Sequence, residues 1–194
     1  MEQAYDVLLS HIHKKIVLTE NEEKTLVTFF NLKSLKKKQL VLQEGGISDS
    51  ISFVATGLLR SYTMNEKGNE HISLFAWEGW WISNFNSFIC GGEAKLNIDA
   101  IEDSTLLQLT RENYEKMLEA IPAMEKYFRI LYQNSLTTKD TRLISANTHT
   151  AEEKYIHFLE SYPNLIKRLP QNLIASYLGI TPETISRIKK KIND

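Results

Sequence analysis

From Pro170 the chain reads Pro-Gln-Asn-Leu-Ile-Ala-Ser-Tyr-Leu-Gly-Ile-Thr-Pro-Glu-Thr-Ile-Ser-Arg-Ile-Lys-Lys190, and the polar residues of its second half have types that can read nucleic-acid bases. Arginine pairs bidentately with guanine, and glutamate accepts from the cytosine amino group. Lysine and hydroxyl side chains bond phosphate oxygens. Two short helices and a turn would position them. Gly179 suits the left-handed residue that ends a helix, because it has no Cβ to clash. Thr181 offers an N-cap hydroxyl, and Pro182 falls at the first helical position, where a missing N–H costs nothing. Ile174, Leu178, Ile180, Ile185 and Ile188 can close a small core, with Ala175 small where the helices approach. If Ile185, Ile188 and Ile192 are buried on one face of the second helix, Glu183, Ser186, Arg187 and Lys190 point outward.

This run resembles the helix-turn-helix of the Crp/Fnr family of bacterial transcription regulators. Thr181-Pro182-Glu183-Thr184-Ile185-Ser186-Arg187 matches the family's recognition-helix pattern at the glutamate and the later arginine. Pro182 stands where some members place a base-contacting arginine. The resemblance implies that double-stranded DNA meets Thr181, Pro182, Glu183, Thr184, Ser186, Arg187, Lys189, Lys190 and Lys191. It further implies a homodimer with RNA polymerase as a partner. Only four residues follow Lys190, so the β-hairpin wing common in the family is expected to be missing. Phosphate anchoring would then fall to Lys189–Lys191 and to Lys167 and Arg168.

Charge distribution agrees with that placement. The whole chain carries a formal charge of −1. From Lys167 to Asp194, six basic residues face two acidic ones, a net +4, which leaves −5 on the other 166 residues. A basic end on an acidic body is the asymmetry expected when one end meets phosphates.

At 194 residues, 42% hydrophobic and 24% charged, the chain has the composition of a globular protein with a real core. No apolar run reaches the roughly 20 residues that span a bilayer, so no membrane partner is expected. The first residues lack the basic start and apolar block of a signal peptide. Cys90 is the sole cysteine. It excludes an internal disulfide and a cysteine-ligated iron–sulfur cluster, and points to a cytoplasmic location.

Before the basic end, three textures follow one another. Residues from about Tyr5 to Asn31 read as helical, with Thr19-Glu-Asn-Glu22 as a capping box. His11 and His13, two apart on a helix, are read as surface residues. From Lys36 to Thr110, short apolar runs alternate with turns: Gln39–Gln43, Ile51–Ala55, Leu58–Met64, Asn69–Phe75, Leu96–Ile101 and Thr105–Leu109. Such spacing argues for a small antiparallel barrel or sandwich. It resembles the β-roll of cyclic-nucleotide-binding domains, including the Gly-Leu-Leu-Arg-Ser-Tyr stretch from Gly57. Arg111–Ala120 then reads as a helix, Pro122 to about Ala146 as a longer one, and Thr150-Ala-Glu-Glu153 caps another. The expected fold is α+β. A jelly-roll sensor domain over 1–121, flanked by helices, precedes a connector and dimerisation helix over 122–147. A helix-turn-helix domain over 148–194 follows.

The resemblance also implies a phosphate cassette, a glutamate for the ribose followed by an arginine for the cyclic phosphate. Here Asn84 replaces the glutamate, and no arginine lies between Arg60 and Arg111. Without a bidentate cation a buried phosphate loses its strongest bonds, so cyclic AMP or cyclic GMP is not expected to bind in the usual way. Lys95 offers a point charge instead. Trp77, Trp80 and Trp81, with Phe85 and Phe88 nearby, leave two readings open: a pocket for an unknown small-molecule effector, or aromatics that fill the roll. No cofactor or metal is expected, since His71 is the sole histidine of the strand region. No nucleophile–base set or glycine-rich phosphate loop marks an enzyme. The alternative to DNA binding is a sensor or interaction module whose C-terminal helices dock a protein.

Overall fold

The computed structural model describes residues 2–193. Its elements run α1 (Glu2–His13), α2 (Glu20–Val27), β1 (Asn31–Leu35), β2 (Leu40–Leu42), β3 (Ser50–Thr56), β4 (Leu59–Met64), β5 (Glu70–Ala76), β6 (Trp81–Ile82), α3 (Phe85–Cys90), β7 (Asn97–Ala100), β8 (Ser104–Thr110), α4 (Arg111–Ala120), α5 (Ala123–Thr148), α6 (Ala151–Ser161), α7 (Gln171–Leu178) and α8 (Pro182–Asn193). They form two compact units. One holds the chain up to Thr63 together with Ser73–Tyr132; the other holds Met64–Ile72 and everything described from Gln133 onward.

The first unit is an α+β roll. Two four-stranded sheets face each other, ordered β1-β8-β3-β6 and β2-β7-β4-β5. Strands β3 and β8 pair antiparallel, as do β4 and β7, with Phe53 opposite Leu107 and Ser61 opposite Ile98. Alternation along β3 explains how one strand serves two cores. Val54 joins Leu59, Ile82, Ile98 and Leu106 between the sheets. Ile51, Phe53 and Ala55 point the other way, into a larger core with Leu8 and Ile12 of α1, Leu26 of α2, Met117 of α4 and Tyr127 and Phe128 of α5. A strand covered on both faces is buried almost throughout, as β3 is.

Capping fixes where the helices begin. Thr19 and Glu22 complete a reciprocal capping box, with the Thr19 amide donating to the Glu22 carboxylate at 2.7 Å. Thr150 and Glu153 repeat it at α6, again at 2.7 Å. In both cases the amide and hydroxyl bonds from the threonine hold the glutamate below the usual carboxylate range.

Three local readings need correction. Asn31–Leu35 is a strand, so the helical stretch does not reach Asn31 and the strands begin before Lys36; it pairs with β8 although only Leu35 is buried, so alternation is faint. His11 is not a surface residue. Its Nδ1 lies 2.8 Å from the Tyr127 hydroxyl and its Nε2 3.0 Å from Lys15 Nζ. His13 does face outward, and sits 2.8 Å from Glu23. Ile192, expected in the core of α8, is 48% exposed, because Ile185 and Ile188 already close that face.

Candidate nucleic-acid interface

Helices α7 and α8 lie in the second unit, with α5 from Gln133 onward, α6 and the tip of the β4–β5 hairpin. Gly179 ends α7 at φ 68°, and its amide bonds the Ser176 carbonyl at 3.3 Å. The Ile180 amide reaches back to the Ala175 carbonyl at 3.0 Å. Together these form the paired carbonyl capping of a Schellman turn. Thr181 then caps α8, its hydroxyl accepting from the Thr184 amide at 3.2 Å. Ile174, Ala175, Ile185 and Ile188 are buried with Tyr155 and Phe158 of α6. Phe158 also packs on Tyr177, and the Arg142 guanidinium lies 4.1 Å from the Tyr177 ring centroid.

Burial of Ile185 and Ile188 sets the opposite face. Glu183, Ser186, Arg187 and Lys190 are all exposed there. Glu183 sits in the first turn, and its own amide, then the Thr181 hydroxyl, hold its carboxyl below the usual range. It is therefore an acceptor at neutral pH. Arg187 makes a long 3.4 Å contact to the Thr184 hydroxyl. Lys190 has no ion pair or hydrogen bond among the described residues.

Other members of the expected set are engaged within the unit. Gln171, which the sequence reading did not single out, opens α7 and bridges to α8. Its amide donates to the Pro182 carbonyl and the Ser186 hydroxyl, each at 2.8 Å. Its carbonyl accepts from Lys189 at 3.1 Å. Ser186 and Lys189 thus help fix the angle between the helices. Lys191 pairs with Glu152 of α6 at 2.7 Å. A glutamine at the start of the first helix, eleven residues before the N-terminal proline of the second, was the available signal for this bridge.

Within the first unit the expected effector residues are not gathered around one space. Trp81 is 9% exposed and belongs to the core. Its indole N–H donates to the Tyr127 hydroxyl at 2.9 Å. Lys15, a donor only, makes His11 Nε2 the acceptor, so Nδ1–H donates to the same Tyr127 oxygen. Burial, then Lys15 and Lys14, lower the His11 pKa to about 4, which keeps the imidazole neutral. Burial pushes the Tyr127 phenol up. Trp77 and Trp80 pack against each other with ring planes tilted by 41° and centroids 4.3 Å apart. Asn84 caps α3, accepting from the Ser87 amide at 2.9 Å. Phe85 packs edge-on against Tyr132. Lys95 is exposed.

A small space in the roll is lined by no cationic side chain. It measures about 40 Å³, bounded by Val41, Leu42, Ile82 and Ile98, by Asp49 and by four serines. Two of these, Ser48 and Ser83, lie 3.0 Å apart and both donate to the Ser50 carbonyl. Arg111 donates to the Ser87 carbonyl at 2.9 Å and lies over Phe88. A larger groove of about 460 Å³ runs beside α1 between Asp6, Ser10, His11, Lys14 and Glu78, and shares only Trp80 with the expected pocket. Among the described residues, no three His, Cys, Asp or Glu side chains gather to hold a metal ion, and no helix is long and apolar enough to cross a membrane.

Comparison with known proteins gives the following. Residues 32–120 match the family of cyclic nucleotide-binding domains. Over 93% of its length the chain is 25% identical to regulatory protein HlyX of Actinobacillus pleuropneumoniae, covering 79% of that protein. It is 24% identical, over 94% of its length, to the fumarate and nitrate reduction regulatory protein of Vibrio cholerae, covering 77% of it. These relatives are regulatory proteins, not enzymes. Among solved structures, FixK2 from Bradyrhizobium japonicum superimposes with a TM-score of 0.74 at 21% identity, over 84% of each chain. A CooA mutant from Carboxydothermus hydrogenoformans gives 0.71 at 17% identity, over 87% of this chain and 78% of that one.

Proposed function

We propose that the chain is a transcription regulator of the Crp/Fnr type that binds DNA sequence-specifically as a homodimer, with a roll that holds no cyclic nucleotide in the usual way. The observation that carries the DNA half is the exposed stripe of Glu183, Ser186, Arg187 and Lys190 opposite buried Ile185 and Ile188. A helix with this face suits the major groove. Arg187 has only one long contact to give up, so its fork is available for guanine. Glu183, charged at neutral pH, can accept from cytosine. Lys190 serves phosphate, as do Lys189 and Lys191 once they leave Gln171 and Glu152. Thr181, Pro182 and Thr184 line the entry of α8 beside them.

One such helix offers little area, whereas two-fold pairing puts two helices in successive grooves. Leu136, Leu143 and Ile144, each at least 60% exposed on α5, are the apolar surface available for that pairing. RNA polymerase is the partner that such a regulator addresses once on DNA.

The ligand half rests on the roll interior. About 40 Å³ has room for a water or so, against the roughly 300–1,000 Å³ of small-molecule sites. Its only charged lining residue is Asp49, which would repel a phosphate. Trp81 and Phe85 fill the core rather than stack on a base.

Selection of duplexes from a random pool by the purified full chain tests this function. Enrichment of a near-palindromic site, with half-sites about one helical turn apart, is expected. Failure to enrich any sequence at low and moderate salt would favour a protein-docking role for α7 and α8.

A further inference from the structure

Helix α1 turns two parallel rows of side chains towards the groove of about 460 Å³ beside it. Gln3, Val7 and His11 make one row, and Asp6, Ser10 and Lys14 the other. Residues four apart stack along one side of a helix, so each row runs the length of the groove. Ala4, Leu8 and Ile12 hold the neighbouring stripe of α1 in the core, which fixes this wall. The facing wall is the turn Glu78-Gly79-Trp80, and it is equally fixed. Gly79 takes φ 87°, which suits a residue without a Cβ. Its amide donates to the Val54 carbonyl at 2.9 Å, and the Trp80 amide to the Trp77 carbonyl at 2.9 Å. The Glu78 carboxylate accepts from the Gly57 amide at 2.8 Å.

Between these walls the charges are sorted by end. Val7, His11, Gly79 and Trp80 are half-buried and make the floor, while Asp6, Ser10 and Lys14 are exposed along the rim. Asp6 and Lys14 have no hydrogen bond or ion pair among the described residues. Nor can they pair with each other, because eight residues of helix rise about 12 Å, twice the spacing of an i, i+4 pair. Lys15, 3.0 Å from His11 Nε2, adds a second cation at the Lys14 end. The groove thus offers an anion at one end, cations at the other and a largely apolar floor between them. Its volume lies within the roughly 300–1,000 Å³ of small-molecule sites. A molecule bearing only one charge would leave either Asp6 or Lys14 without a partner. One with opposite charges at the two ends of an apolar stem satisfies both.

We propose that this groove binds a small zwitterion whose ammonium and carboxylate are separated by a short apolar stem. Asp6 takes the ammonium, Lys14 takes the carboxylate, and Val7 and Trp80 receive the stem. The site shares no residue with α8, so it can fail while the DNA reading stands, and the reverse. It also touches the helix that leads out of the roll. His11, in the floor, lies 2.8 Å from the Tyr127 hydroxyl of α5, so a bound molecule sits one hydrogen bond away from that helix.

The test titrates the full-length chain with ε-aminocaproate, and with hexylamine and hexanoate, which each carry one of its two charges. ε-Aminocaproate should bind roughly two- to fivefold more tightly than either, the gain from one exposed charge contact. Asp6→Asn should weaken ε-aminocaproate and hexylamine by about that factor and leave hexanoate unchanged. Lys14→Gln should weaken ε-aminocaproate and hexanoate and leave hexylamine unchanged. Both side chains are exposed, so neither substitution disturbs the core. No binding of ε-aminocaproate up to millimolar concentrations would overturn the proposal. Equal affinity for all three probes would also overturn it, as would losses that do not follow the charge removed.

Discussion

The roll and the helix-turn-helix treat their polar groups in opposite ways. In the roll, the Trp81 indole and His11 both bond the Tyr127 hydroxyl, and Ser48 and Ser83 beside the inner space both donate to the Ser50 carbonyl. On α8, Glu183, Arg187 and Lys190 stand in solvent with little or no engagement. A closed polar network stabilises a core, while an open one leaves bonds for something else to make. The difference separates the part of the molecule that holds shape from the part proposed to read DNA.

That contrast can be broken most easily at Trp81. If it is core, Trp81→Ala should cost about 3–5 kcal/mol in urea unfolding. A change near zero would return Trp81 to the role of a ligand platform. Tyr127→Phe probes the same network more gently. It leaves the Trp81 and His11 N–H groups without their shared acceptor and should cost about 1–3 kcal/mol. On the recognition side, Gly179→Ala meets open space, so only the left-handed φ is penalised. A loss of about 1–2 kcal/mol is expected in the unfolding of the second unit.

A pH dependence probes the same network. The His11 pKa is lowered from 6.5 to about 4 in the folded chain. The unfolded chain therefore binds the extra proton first, and stability falls as pH drops from about 6.5 towards 4. Replacing His11 with Gln, which keeps a donor and an acceptor, should flatten the slope of stability against pH across that window. An unaltered slope would mean that His11 is not held neutral by the core.

Legibility in the sequence follows the same division. Local chemistry governs the helix-turn-helix: Gly179, Thr181 and Pro182 each act within a few residues of themselves, so their roles could be read in print. Most strands of the roll were also visible, because apolar runs and turns alternate regularly. What could not be read depends on long-range contact. His11 meets Tyr127 across 116 positions, and no local spacing announces that pair. Trp81 resembled a possible ligand platform until its indole was seen to bond the same tyrosine. Strand β1 has one buried residue and is made by its pairing with β8. On α8, Lys191 counted as a phosphate anchor because its charge is visible in the sequence and its partner Glu152 is not.

Arg187 tests the recognition face most directly. The measurement is the ratio of affinities for a selected site and a scrambled duplex, at one fixed salt concentration and without added nucleotide. Arg187→Ala should lower that ratio by about 1–3 kcal/mol while scrambled-site affinity changes far less. Lys190→Ala should instead weaken both duplexes together and reduce the salt dependence. An Arg187→Ala protein that discriminates as well as the parent would contradict the assignment of α8 as the reader of DNA.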